Sequence, residues 1–152
     1  GSGDLGVAGE IKYSGDTISG EISGIMYEHD RVGLSDDSGY QIGAGLGFAL
    51  GDMANISAAA AIGEEPSKGD YWNASVLLGV SLTDTARIEV GASYVDYDDI
   101  NVEVWEAIAG IYYEPVSQLT LGLEVDYADG LADFYGNDDE FLTFDFVSIW
   151  RF

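Results

Sequence analysis

The sequence predicts an all-β chain: an antiparallel meander of about nine long strands, of the kind that crosses a bilayer as a transmembrane β-barrel. Three observations carry this. Its segments of alternating apolar and polar residues run roughly 9–13 residues, against about 5–6 for an average strand and about 9–11 for one that spans a membrane. The connectors alternate short and long, which puts tight turns at one rim and larger loops at the other. The composition suits long strands, with 21 Gly, 10 Tyr and 3 Trp against 2 Pro.

Strand side chains alternate between two faces, so each segment declares a greasy side and a wetter side. Residues 5–13 set Leu5, Val7, Ile11 and Tyr13 against Gly6, Ala8, Glu10 and Lys12, and Ser14-Gly15-Asp16 turns the chain. Residues 17–28 oppose Ile18, Ile22 and Met26 to Ser19, Glu21 and Ser23; residues 29–38 read as a polar loop. Residues 39–50 alternate most cleanly: Tyr40, Ile42, Ala44, Leu46, Phe48 and Leu50 against Gln41, Gly43, Gly45 and Gly47. After a turn at Gly51-Asp52, residues 54–63 set Ile56, Ile62 and alanines against Asn55, Ser57 and Gly63. Residues 64–70, EEPSKGD, form a loop.

Residues 71–82 place Trp72, Val76, Leu78, Val80 and Leu82 opposite Asn73, Ser75, Gly79 and Ser81. A turn over residues 83–85 leads to residues 86–97, with Ile88, Val90, Ala92 and Tyr94 against Arg87, Glu89, Gly91 and Ser93. Residues 102–114 set Trp105, Ala107, Ala109, Ile111 and Tyr113 against Glu106, Gly110 and Glu114, and residues 115–118 are expected to turn. Residues 119–127 set Leu119, Leu121, Leu123, Val125 and Tyr127 against Thr120, Gly122, Glu124 and Asp126. The longest loop, residues 128–139, precedes the last strand, residues 141–152. There Leu142, Phe144, Phe146, Trp150 and Phe152 share a row, with Thr143, Asp145 and Arg151 between.

Aromatic residues gather at strand ends. Tyr40, Trp72, Tyr94, Trp105 and Tyr127 fall near the long-loop rim; Tyr13, Phe48, Tyr113, Trp150 and Phe152 fall near the short-turn rim. Two such girdles mark the two interfaces of a bilayer.

The net charge is -23, from 28 acids against 5 bases, the wrong sign for binding nucleic acid. There is no Cys, hence no disulfide framework. No apolar run reaches the ~18 residues of a transmembrane helix, which does not exclude membrane strands. Residues 1–4 read as a tag or linker remnant.

With the apolar face toward lipid, the polar face lines the interior. The expected pore-lining residues are Glu10, Lys12, Glu21, Gln41, Arg87, Glu89, Glu106, Glu124, Asp126, Asp145 and Arg151. Arg87 with Glu89 and Arg151 with Asp145 are expected ion pairs. Between residues 39 and 81 the inward positions are mostly Gly, Ala, Ser and Asn, too small to fill an eight-strand barrel. A wide, wet lumen follows. An odd strand count cannot close antiparallel upon itself, and an open edge in lipid costs several kcal/mol per unpaired group. Residues 1–152 are therefore expected to be one barrel domain, the C-terminal portion of a larger barrel.

The last strand, FLTFDFVSIWRF, resembles the closing strand of bacterial outer-membrane β-barrels. That resemblance implies that Trp150 and Phe152 form an assembly signal read by the barrel-assembly machinery. The stretch EPVSQLTLGLEVDY resembles the penultimate hairpin of alphaproteobacterial porins. It implies a trimeric, water-filled, passive diffusion pore in the outer membrane. The sequence departs from that family in being about half the expected length and in lacking a basic ladder.

The expected function is a porin for small hydrophilic solutes and ions, preferring cations because rings of Asp and Glu do. The alternative is a closed eight-strand barrel over residues 17–152 with a structural or adhesion role. Small lipid-facing residues let surfaces approach closely, so Ala44, Ala54, Ala58 and Ala60 are the expected subunit contact, in a homotrimer or against further strands. Expected partners also include lipid and lipopolysaccharide, whose phosphates divalent ions would bridge to acidic loops such as Asp96-Asp98-Asp99 and Asp133-Asn137-Asp138-Asp139-Glu140. No cofactor and no dedicated metal site is expected. His29, near Asp30, Ser35 and Ser38, reads as a solvated loop residue rather than a catalytic base, so no enzyme is expected.

Overall fold

The computed structural model describes residues 5–29, 37–66, 68–130 and 140–151. These form one antiparallel sheet of β1 (Leu5–Ser14), β2 (Ile18–His29), β3 (Asp37–Leu50), β4 (Ala54–Glu65), β5 (Gly69–Thr83), β6 (Ala86–Tyr97), β7 (Val102–Val116), β8 (Leu119–Asp129) and β9 (Glu140–Trp150). Sequence neighbours are sheet neighbours throughout, so the chain is a simple meander. There is no helix among the described residues. β1 and β9 are the two edges, and both run from the long-connector rim to the short-turn rim.

The expected strands all form, and they run 10 to 15 residues. Most gain length at the long-connector rim, where β3 begins at Asp37, β4 runs to Glu65 and β8 to Asp129. Ladder bonds are made by backbone, so pairing continues past the point where the apolar alternation stops. One expected turn is displaced. Pro115 and Val116 belong to β7, and the register shifts between Tyr113 and Val116. A proline has no N–H to give the ladder, and a bulge is where a strand tolerates that.

The short turns are closed tightly. Gly51, with φ of 64°, takes the left-handed conformation that a side chain resists. Each short turn also accepts a backbone hydrogen bond from the next hairpin: Ala49 N–H to Thr17 O (2.8 Å), Ser81 to Met53 (2.8 Å), Glu114 to Thr85 (2.7 Å) and Arg151 to Gln118 (2.8 Å).

The large apolar side chains form almost no buried core. Among the described residues the buried hydrophobic ones are only Ala61, Tyr97 and Val102, while Phe144 is 76% and Ile11 75% exposed. A sheet face tiled this way has no internal core to bury it. Each large apolar side chain gains about 1.5–3 kcal/mol when taken out of water, so this face calls for an apolar cover.

The registers keep the two faces apart across the whole sheet. Ile22 lies opposite Ala44, Ala44 opposite Ala60, Ala60 opposite Ala74, Ala74 opposite Tyr94, and Tyr94 opposite Trp105. On the other face Lys12 lies opposite Glu21, then Gly45, Ala59, Ser75, Ser93 and Glu106 follow strand by strand.

Candidate functional site

The polar face is the candidate site. By register it carries every residue expected to line an interior. Glu10 and Lys12 stand on β1, Glu21 on β2, Gln41 on β3, Arg87 and Glu89 on β6, Glu106 on β7, Glu124 and Asp126 on β8, Asp145 on β9, and Arg151 just beyond it. They do not form one row of equivalent charges. Most sort into two zones.

At the β1 side, Lys12 is held by two carboxylates, Glu10 at 2.5 Å and Glu21 at 3.6 Å. These groups are exposed, and pairs of this kind contribute little to stability. Gln41 accepts a hydrogen bond from the Tyr71 hydroxyl at 2.8 Å.

At the β6–β9 side, near the short-turn rim, a denser network forms around Glu114. Its Oε1 meets Arg87 Nη1 at 3.0 Å, accepts from Thr120 Oγ1 at 3.2 Å and lies 4.0 Å from Arg151 Nη1. Arg87 also binds Glu89 at 3.0 Å, as expected, and sits over the Tyr112 ring at 4.9 Å. Tyr112 donates to Glu124 at 2.6 Å. Arg151 donates to Thr120 at 3.3 Å. The expected pairing of Arg151 with Asp145 is thereby corrected: the two stand six residues apart along one strand, about 20 Å at ~3.3 Å of rise per residue, while Glu114 on β7 and Thr120 on β8 lie beside Arg151. The sequence places Glu114 and Thr120 on this face, but the central part of Glu114 and the presence of Tyr112 were missed. The alternation that put Glu114 inward also puts Tyr112 inward, which was the available signal.

Between the two zones the wall is bare. A concave trough of about 600 Å³ lies over the inward side chains of β1 to β7, with Gly45, Gly47, Ala59, Ser75 and Ser93 on its floor and Lys12, Glu21 and Glu106 at its ends. The small side chains that the sequence places on this face form the trough's floor. Near Glu106 and across the strand from Ile108, Asp126 has an oxygen, Oδ1, buried with no hydrogen-bond partner in the structure.

The outward face carries the aromatic girdles. The rings of Trp72 and Tyr94 meet at 5.0 Å and those of Trp105 and Tyr127 at 4.9 Å, both pairs tilted by about half a right angle. Both indoles donate toward the long-connector rim, Trp72 to Asp96 (3.2 Å) and Trp105 to Asp129 (3.0 Å). An amphipathic ring with its polar edge toward water is what a bilayer interface favours. Tyr13, Phe48, Tyr113 and Trp150 stand exposed at the other rim; Phe152 lies outside the described residues. Ala44, Ala58 and Ala60 form one contiguous patch, which Ala74 extends, whereas Ala54 sits apart between Leu50 and Val80 near the short-turn rim.

Asp30, Ser35, Asp133, Asn137, Asp138 and Asp139 lie outside the described residues, as does the side chain of His29. Asp96, expected in an ion-bridging loop, stands near the end of β6 and accepts a hydrogen bond from the Trp72 indole.

No protein-family model matches the sequence. No curated protein matches it. Among solved structures the chain is similar to OmpT, an outer membrane protein of Vibrio cholerae folded in vitro, with a TM-score of 0.66 and 15% sequence identity over 84% of this chain. It spans 46% of that chain, about half its length. The fold is that of an outer-membrane β-barrel wall: an all-β antiparallel meander with an apolar outside. One expectation is overturned by this likeness. The exclusion of an enzyme does not stand, because outer-membrane barrels include proteins with Ser–His or Asp–His sites at the outer rim, and most of the residues it was judged on lie outside the described ones.

Proposed function

We propose that this chain forms part of the wall of a water-filled diffusion channel for small hydrophilic solutes and ions in a bacterial outer membrane. The bare trough between two charged zones carries the reading: it leaves an open path along the inner wall where a solid barrel would be packed with side chains. The likeness to an outer-membrane protein supports the location. Lipid and lipopolysaccharide surround such a wall, and Trp150 with Phe152 forms the signal for the barrel-assembly machinery.

Further strands complete the barrel. The unpaired edges β1 and β9 run in the same direction, so an antiparallel closure takes an odd number of additional strands. All ten residues of β1 pair with β2, which favours this nine-strand wall over a closed barrel of eight strands with a loose leading segment. The alanine patch around Ala58 is the contact surface for a homotrimer or for those strands. Ala58→Trp should shift the assembled species to a smaller mass in light scattering; an unchanged mass assigns the patch to lipid.

The channel prefers cations. Glu10, Glu21, Glu89, Glu106, Glu114, Glu124, Asp126 and Asp145 face inward against Lys12, Arg87 and Arg151. The preference weakens as salt rises, since screening shortens the reach of these charges to about 10 Å at 0.1 M. The test is the reversal potential across a salt gradient. The double variant Glu21→Lys with Glu106→Lys should move it toward anions, and a reversal potential indifferent to both changes would sink the assignment of this face to the lumen.

A further inference from the structure

We infer that the trough is a subsite for a neutral polyhydroxylated solute, one or two sugar rings in size. The inference deepens the channel reading of the same face. Its volume, about 600 Å³, is that of a small-molecule site. Ser57, Ser75 and Ser93 lie along its floor, with Ser75 and Ser93 directly opposite one another on β5 and β6. A hydroxyl both donates and accepts, and a polyol offers the same pair of functions at each position. Glu21 and Glu106 close the two ends with carboxylate acceptors. Leu77 and Ile108 supply the apolar spot on which the C–H face of a ring can rest.

The charge pattern selects against other solutes. The ammonium in the trough, Lys12, is already held by Glu10 and Glu21, so it leaves no open positive centre for an anion. A simple organic cation would find its carboxylates only at the ends, with the serine floor between them unused. The floor itself is low because Gly45 stands between Glu21 and Ala59. A Cβ there meets Glu21 Cγ at 3.5 Å and Ala59 Cβ at 3.8 Å, ordinary contacts, so the space is available to a side chain and is left open.

The test uses the full-length protein folded in an amine-oxide detergent, which contains no sugar, with maltose as the probe and choline as the cation comparator. Saturation-transfer NMR should show saturable maltose binding in the millimolar range. Ser75→Phe, which fills the floor, should weaken it by about tenfold or more, and Gly45→Val, which the backbone accommodates, should weaken it in the same direction. Ser75→Ala should weaken it less, by about fivefold, as loss of one hydrogen bond does. Maltose binding that survives both filling variants overturns the inference, as does saturable choline binding without maltose binding. A protein that conducts ions but shows no saturable maltose signal keeps the channel reading and loses the subsite. One that binds maltose in this way yet passes no current keeps the subsite and loses the channel.

Discussion

Arginine in place of Leu123 is expected to cost about 2–4 kcal/mol of folding stability in lipid vesicles, the penalty for a cation on the lipid face near the bilayer midplane. Leu123 is 62% exposed on the outward face, lies opposite Phe146 and falls between the Tyr127 and Tyr113 girdles. Arginine at Gly45 points the other way, into the trough, where it meets water and the Glu21 carboxylate, and should cost well under ~1 kcal/mol. Denaturant unfolding of the two variants reads the difference directly. Equal penalties would mean that the two faces see the same solvent, and the membrane reading would fail.

The second large effect belongs to Glu114. Glu114→Ala removes the acceptor shared by Arg87, Thr120 and Arg151. Thr120 is only 1% exposed, so its hydroxyl proton loses its acceptor in a place water does not reach. Such a loss costs about 1–3 kcal/mol. The ion pairs add little, because the side chains of Arg87 and Arg151 are 38% and 54% exposed and solvent screens them. A total of about 2 kcal/mol is expected, with Glu89→Ala costing under half of that because Arg87 keeps Glu114. Should Glu114→Ala prove as mild as Glu89→Ala, the network around Glu114 would be surface decoration rather than the tie between β7 and the last strand.

The strands and their faces were legible because a strand has a period of two and the sheet keeps it across every hairpin. Ile42, Leu46 and Phe48 on one side and Gly43, Gly45 and Gly47 on the other declare their faces without reference to any partner. The pairing of Arg151 was not legible in the same way. Strand rise alone, about 20 Å over six residues, separates it from Asp145; which carboxylate it meets instead depends on the register of β7, β8 and β9 together and on a bulge at Pro115, and alternation within one strand says nothing about either. The bare trough was readable from residue size alone, since every Gly, Ala and Ser that makes it is a local fact. The judgement on catalysis was beyond the sequence for a different reason: a lone histidine limits one kind of chemistry, and the groups that would stand beside it come from separate loops.

The ties between short turns have a mechanical meaning. Because Ala49, Ser81, Glu114 and Arg151 each give their N–H to the turn of the neighbouring hairpin, the short-turn end of the sheet is hemmed. At the opposite end one comparable tie is present among the described residues, Asp98 N–H to Asp70 O. A hairpin cannot peel away from the hemmed end without breaking its neighbour's bond as well as its own, so strands there let go together or not at all. Fraying is therefore one-sided: the wall opens from the long loops downward, and the last part to come apart is the seam of tight turns.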